Sequence, residues 1–164
     1  MMLPEYRNEP FTDFSDPANQ AAMEAALAAV HAQFGATYPI QIGGERISTE
    51  QLIRSLNPAA PSEIVGYTAS ATPAMADQAI RSAYTAFESW RKVPVADRVA
   101  LLMNVSEEIR RRKFELCAWI IYEVSKSWAE ADGDVAEAID FCEYYAREML
   151  RLDQPQKIDR KSVV

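Results

Sequence analysis

From Thr72 to Leu152 apolar residues recur at steps of three and four, the period of helices that each bury one stripe. A chain written this way must build its core mainly from packed helices. Thr72 is placed to cap, Pro73 stands at the first helical position, and the pattern breaks at Val93-Pro94. Ala76, Ala79, Ile80, Ala83, Phe87 and Trp90 form the stripe of this helix, which is expected to pack by a long face. "PVADRVALLMNVSEEIRRRKFELCAWIIYEVSKS" reads as a second amphipathic segment, two helices meeting near Lys113. Its core candidates are Val99, Leu102, Met103, Val105, Ile109, Phe114, Cys117, Ile120 and Ile121. The final helix contains "GDVAEAIDFCEYYARE" and runs to about Leu152.

The N-terminal half adds one helix and a little sheet. "SDPANQAAMEAALAAVHAQFG" has Ser15 or Asp16 as cap, Pro17 just inside and Gly35 as the stop. "YPIQIGGERIS" places two short extended runs around Gly43-Gly44, the signature of a tight hairpin, and "EIVGYTA" reads as a further strand. The predicted fold is therefore mostly α with a small β-hairpin and strand element. Residues 1–16 form a nonperiodic arm that needs another surface, residues 17–153 the helical body with short strands near 38–47 and 63–69, and residues 154–164 a polar tail.

Several functions are disfavoured. Among 164 residues, 17 Lys and Arg stand against 24 Asp and Glu, a net charge of −7 that opposes attraction to nucleic acid or an anionic membrane. The basic run Arg110-Arg111-Arg112-Lys113 points in four directions on a helix and is surrounded by Glu107, Glu108 and Glu115, so it reads as an ion-paired surface. No window is apolar for the eighteen or so residues a membrane span needs, and no signal-like leader is seen, so a cytoplasmic setting is expected. His31 has no companion ligand, and Cys117 and Cys142 lie on apolar stripes that oppose a reactive thiolate. The Gly43-Gly44 pair joins strand to strand, not strand to helix, and so is no phosphate cradle.

The last helix holds the acids worth weighing. At about 100° per residue, Val135, Ala138, Ile139, Cys142 and Met149 gather on one face and Glu137 points away from it. Asp134 and Glu137 fit a capping box after Gly133, so from the residues alone Glu137 reads as a capping or solvated acid. Phe141 and Tyr144 lie one and two turns further along its side. Asp140, Glu143 and Glu148 read as solvated acids, with Glu143 spaced to pair with Arg147.

Five segments in order carry a resemblance: "NEPFTDFSDPANQAAMEAAL", "YPIQIGGERI", "SLNPAAPSEIVGYTASAT", "AIRSAYTAFESWRKVPVADRVALLMNVSEEIRRRKFEL" and "YEVSKSWAEADGDVAEAIDFCEYYAREML". Together, over about residues 5–153, they resemble the N-terminal part of the aldehyde dehydrogenase superfamily. Within it they are most similar to the branch that oxidises L-glutamate γ-semialdehyde, the 1-pyrroline-5-carboxylate dehydrogenases. The resemblance implies the N-terminal part of a three-domain α/β fold and, in the complete enzyme, NAD as cofactor and a small aldehyde as substrate. It also implies that the nucleophilic cysteine, the oxyanion asparagine, the general-base glutamate and the cofactor glycines lie beyond the segments matched here. A chain of this length alone is then expected to be inactive, to bind no NAD, and to associate with itself or with the C-terminal domains it lacks. Glu137, in Ala136-Glu137-Ala138-Ile139-Asp140-Phe141, matches a glutamate that meets the substrate's α-amino group; no catalytic or metal residue is implied. Ser125-Lys126 departs from the family's usual Gly-Lys. The alternative from another class is a free-standing, non-catalytic helical binding or assembly module.

Overall fold

The computed structural model describes residues 3–155. Helix α1 (Pro17–His31) starts where the Asp16 carboxylate accepts from the Ala18 N–H with Pro17 following. The chain then forms strands β1 (Ala36–Tyr38), β2 (Ile40–Ile42), β3 (Glu45–Ile47), β4 (Leu52–Leu56) and β5 (Ile64–Ala69). Helices α2 (Pro73–Trp90), α3 (Val95–Arg111), α4 (Lys113–Val124) and α5 (Trp128–Leu152) complete it. The tail expected from residue 154 falls almost wholly outside the described residues.

The hairpin forms as its glycines predict. Gly43 and Gly44 have φ of 58° and 88°, the left-handed pair that a two-residue turn between β2 and β3 requires. A second sheet, in the order β1-β5-β4, pairs β1 parallel and β4 antiparallel to the central β5. Strand β4 is not signalled by the sequence, because Leu52, Ile53 and Leu56 do not alternate with polar residues and are all exposed. It is a strand because β5 offers a ladder to pair with.

The main core joins α1, α4 and α5 through Met23, Val30, Cys117, Ala118, Ala131, Val135 and Ile139, all less than 5% exposed. Helix α3 closes on α5 and buries Val99, but Val105, expected in the core, is 40% exposed. The larger correction concerns α2. It buries no residue, and Ile80, Tyr84, Phe87 and Trp90 stand 44–72% exposed. Its half-buried positions are Met75, Ala79 and Ser82, so of the expected stripe only Ala79, at its edge, is half-buried. The stripe predicted from the spacing is real, but among the described residues nothing buries its large members Ile80, Phe87 and Trp90.

Helix α4 ends at Ser125, whose φ of 57° puts it in the left-handed region, the sole non-glycine there among the described residues. Its N–H closes on the Ile121 carbonyl as a left-handed C-cap. The resemblance places a glycine here, and serine holds this left-handed turn at a steric cost. Two residues later Ser127 and Glu130 form the reciprocal capping box that starts α5. The box expected at Asp134 and Glu137 therefore does not form. Both sit inside the helix, where backbone N–H groups are already paired.

Candidate functional site

Helix α5 presents three faces. Ala131, Val135, Ile139, Cys142 and Ala146 turn to the core; Asp132, Asp140, Glu143 and Arg147 turn to the N-terminal arm; Gly133, Glu137, Phe141, Tyr144 and Tyr145 turn outward.

The arm face is the most ordered polar surface of the chain. Asp132, 1% exposed, accepts from the Thr12 N–H at 2.8 Å and the Thr12 hydroxyl at 2.6 Å, and pairs with Lys113 Nζ at 2.8 Å. Two turns on, Asp140 accepts from the Glu9 N–H and the Asn8 amide, each at 2.7 Å. Arg110 donates to Glu9 at 2.9 Å and Glu143 at 2.7 Å, while Arg147 donates to Glu143 and to the Pro4 carbonyl. Tyr6 packs edge-on against Tyr144, with Arg147 over its ring. Burial opposes ionisation of Asp132, but Lys113 and Thr12 outweigh it and hold this carboxyl below its ordinary value. Tyr6 shifts upward through desolvation and the neighbouring charge of Asp140.

These contacts correct three sequence expectations. Asp140 and Glu143 are not solvated acids: they anchor the arm and its arginines. Asp134 is not a cap: it pairs with Lys126. The basic run divides, with Arg111 and Arg112 pairing outward with Glu108 and Glu115 as expected, and Arg110 and Lys113 turning toward the arm. Asp132 went unrecognised. The signal was the helical spacing of Asp132, Asp140 and Glu143 opposite an arm whose backbone N–H groups have no partners of their own. Glu148, by contrast, stays near the surface paired with Arg151.

Glu137 is exposed and makes no hydrogen bond or ion pair among the described residues. Phe141 and Tyr145 stack beside it along the helix at 6.0 Å between centroids and stand 52% and 57% exposed. Phe11, 76% exposed, reaches from the arm to within 4.0 Å of where a Cβ on Gly133 would be. A groove of about 350 Å³ lined by Ile109, Ile120, Val135 and Ala138 runs between the helices next to this face. An unpaired carboxylate among aromatic rings can take a cation, and an ammonium best, since it offers both charge and N–H donors.

The other sequence candidates are not drawn into this face. His31 is exposed and packs at a tilt against Phe34 and Tyr122. Cys117 is fully buried, and burial, then the charge of Asp132, pushes its thiol up to about 11. Cys142 is half-buried and also shifted upward by burial. Gly43 turns toward Ser82, whose hydroxyl lies 2.9 Å from where a Cβ would stand, so the glycine turn is closed by α2 and does not fit a nucleotide phosphate. No cluster of three metal-ligating side chains occurs among the described residues, and none of their helices is long and apolar enough to cross a membrane.

Comparison with known proteins finds a match to the aldehyde dehydrogenase family over residues 45–163. The 1-pyrroline-5-carboxylate dehydrogenase 1 of Halalkalibacterium halodurans is 47% identical over 157 residues, covering 96% of this chain and 30% of that protein. Among solved structures, a mutant 1-pyrroline-5-carboxylate dehydrogenase of Thermus thermophilus superposes with a TM-score of 0.93 at 48% identity, covering 97% of this chain and 31% of the other. A Thermus 1-pyrroline-5-carboxylate dehydrogenase with bound NAD gives 0.92 at 46% identity over the same shares. The chain thus spans about 30% of the length of the relatives it matches.

Proposed function

Because the chain belongs to the aldehyde dehydrogenase family, we propose that it supplies the N-terminal, substrate-recognising segment of an enzyme that oxidises L-glutamate γ-semialdehyde to glutamate in proline degradation. The observation that supports this reading is Glu137, an exposed carboxylate with no partner among the described residues on an otherwise heavily paired helix, which the resemblance to the semialdehyde branch matches to the substrate's α-ammonium. The carboxylate accepts charge-assisted hydrogen bonds from the ammonium and so holds the far end of the molecule, leaving the aldehyde carbon to be presented to a nucleophile outside this segment. Phe141, one turn further along the same side, sets an aromatic ring next to that contact. NAD, when bound, takes the hydride from the aldehyde carbon; its site is assigned to polypeptide other than the residues described here.

This division of labour makes the exposed stripe of α2 a packing surface for the rest of a dehydrogenase or for another copy of the chain. Ile80, Tyr84 and Phe87 on one face are more apolar surface than a solvated helix usually presents. A cytoplasmic location agrees with two unbridged cysteines and an NAD-linked reaction.

The test is NADH formation with L-glutamate γ-semialdehyde. The 164-residue chain alone should give no turnover. A chimera carrying residues 1–153 in place of the matching segment of the Halalkalibacterium relative should be active, and Glu137→Gln in it should raise KM about tenfold or more, the worth of a charged hydrogen bond. Turnover by the chain alone, or an unchanged KM in the variant, would overturn the reading.

A further inference from the structure

Gly133 occupies the second turn of α5, where glycine is the least favourable residue short of proline. Neither backbone nor packing demands it there. Its φ is not positive, and a Cβ would meet only the Cε1 of Phe11, at 4.0 Å, an ordinary contact. A helix interior that tolerates a side chain but carries none has given up stability at that point without a structural return.

What the missing side chain provides is space beside Glu137. Residues four apart share a helix face, and helical side chains lean toward the N-terminus, so Glu137 stands one turn beyond the bare position 133 on the same side of α5. Phe11 lies within 4.0 Å of where a side chain at position 133 would begin, 76% exposed, held by an arm whose next residue, Thr12, is fixed to Asp132. The three residues come from two segments far apart in sequence and bring a carboxylate, an exposed ring and a bare backbone position together on the outer side of α5.

Resting on the substrate reading of Glu137, we propose that Gly133 and Phe11 are specificity-determining residues: the absent side chain at 133 admits the ammonium end of an α-amino acid substrate, and Phe11 walls it. A larger residue at 133 would occupy the place of the group attached to the ammonium-bearing carbon. Loss of Phe11 would leave that group open to water.

The test uses the full 164-residue chain, ¹⁵N-labelled, with L-glutamate as probe and glutarate, which lacks the ammonium, as control at matched ionic strength. The amides of residues 133–137 should shift saturably with L-glutamate and not with glutarate. Glu137→Gln and Gly133→Leu should each weaken binding at least tenfold, and Phe11→Ala should weaken it about threefold. Gly133→Ala should raise the melting temperature, since only the ligand requires the glycine. If Glu137→Gln loses binding while Gly133→Leu and Phe11→Ala keep it, this inference fails and the substrate reading stands. If the unaltered chain does not respond to L-glutamate, this inference fails, and the substrate reading is decided by the chimera. A lowered melting temperature in Gly133→Ala would show that packing requires the glycine and would overturn the inference. Should Gly133→Leu not melt cooperatively, Phe11→Ala, which leaves the helix untouched, decides the outcome.

Discussion

Thr12 gives both its N–H and its hydroxyl to the two carboxylate oxygens of Asp132, at 2.8 and 2.6 Å, across a sequence separation of 120 residues. Lys113, 12% exposed, closes the same carboxylate from the start of α4. One buried acid thus fastens the arm, α4 and α5 at a single point. Asp132→Ala leaves a nearly buried ammonium without its carboxylate and two donors without an acceptor, and should cost about 3–5 kcal/mol. Urea unfolding measures this, and limited proteolysis should cut the arm of the variant first. A loss below about 1 kcal/mol would mean that the cluster relaxes into water when the acid is removed.

The same contacts predict a pH dependence with a definite sign. Burial works against the charged form of Asp132, yet Lys113 and Thr12 prevail and its folded carboxyl titrates below the ordinary value. The unfolded chain then binds the proton more readily than the folded one. The stabilisation is therefore complete above the unfolded value of about 4 and is lost as pH falls through the depressed folded value. Melting temperature should decline across that acid window, and Asp132→Asn should flatten the decline while lowering the plateau above it. An equally steep decline in the variant would assign the acid sensitivity to other carboxylates.

How much of this was legible in the sequence depends on whether the cause was local. Asp16-Pro17, Thr72-Pro73 and Gly43-Gly44 act within a few residues, and all three turns formed as read. Asp132 and Asp140 depend on an arm more than a hundred residues away, and their helical spacing marks a shared face without naming what covers it. The capping box was misplaced because Ser127-Glu130 and Asp134-Glu137 have the same acid spacing, and only the exit of α4 at Ser125 decides which one begins a helix. The stripe on α2 was correctly found and wrongly covered, since periodicity identifies a face without identifying its partner. Glu137 is singled out by resemblance alone, whereas its lack of a polar partner is a property of the folded chain.

Ser125 gives a prediction that follows from backbone sterics alone. A residue with a Cβ at φ of 57° and ψ of 34° bears a cost of about 1–2 kcal/mol that glycine does not. Ser125→Gly should recover about 1 kcal/mol, somewhat less than the full cost because glycine also loosens the unfolded chain. The melting temperature should rise by about 2–4 °C for a chain of this size. Ser125→Val, branched at Cβ, should move it down. A fall with glycine would show that the serine hydroxyl contributes more to this cap than its backbone strain removes.

Thiol chemistry checks the core from within. Burial raises the Cys117 thiol to about 11, with the charge of Asp132 adding to the shift, while Cys142 is raised by burial and then by Glu143. At pH near 8 a thiol of that strength is ionised at about one part in a thousand, and the thiolate is the form that reacts. A disulfide reagent should therefore label the half-buried Cys142 slowly and first. Cys117 should be labelled only as fast as the α1, α4 and α5 core opens, and at one rate with the loss of helix in denaturant. Asp132→Ala should accelerate Cys117 more than Cys142, because it loosens the helices around the first thiol. Labelling of Cys117 at the rate of a free thiol in the intact chain would mean that the α1, α4 and α5 contacts are not closed in solution.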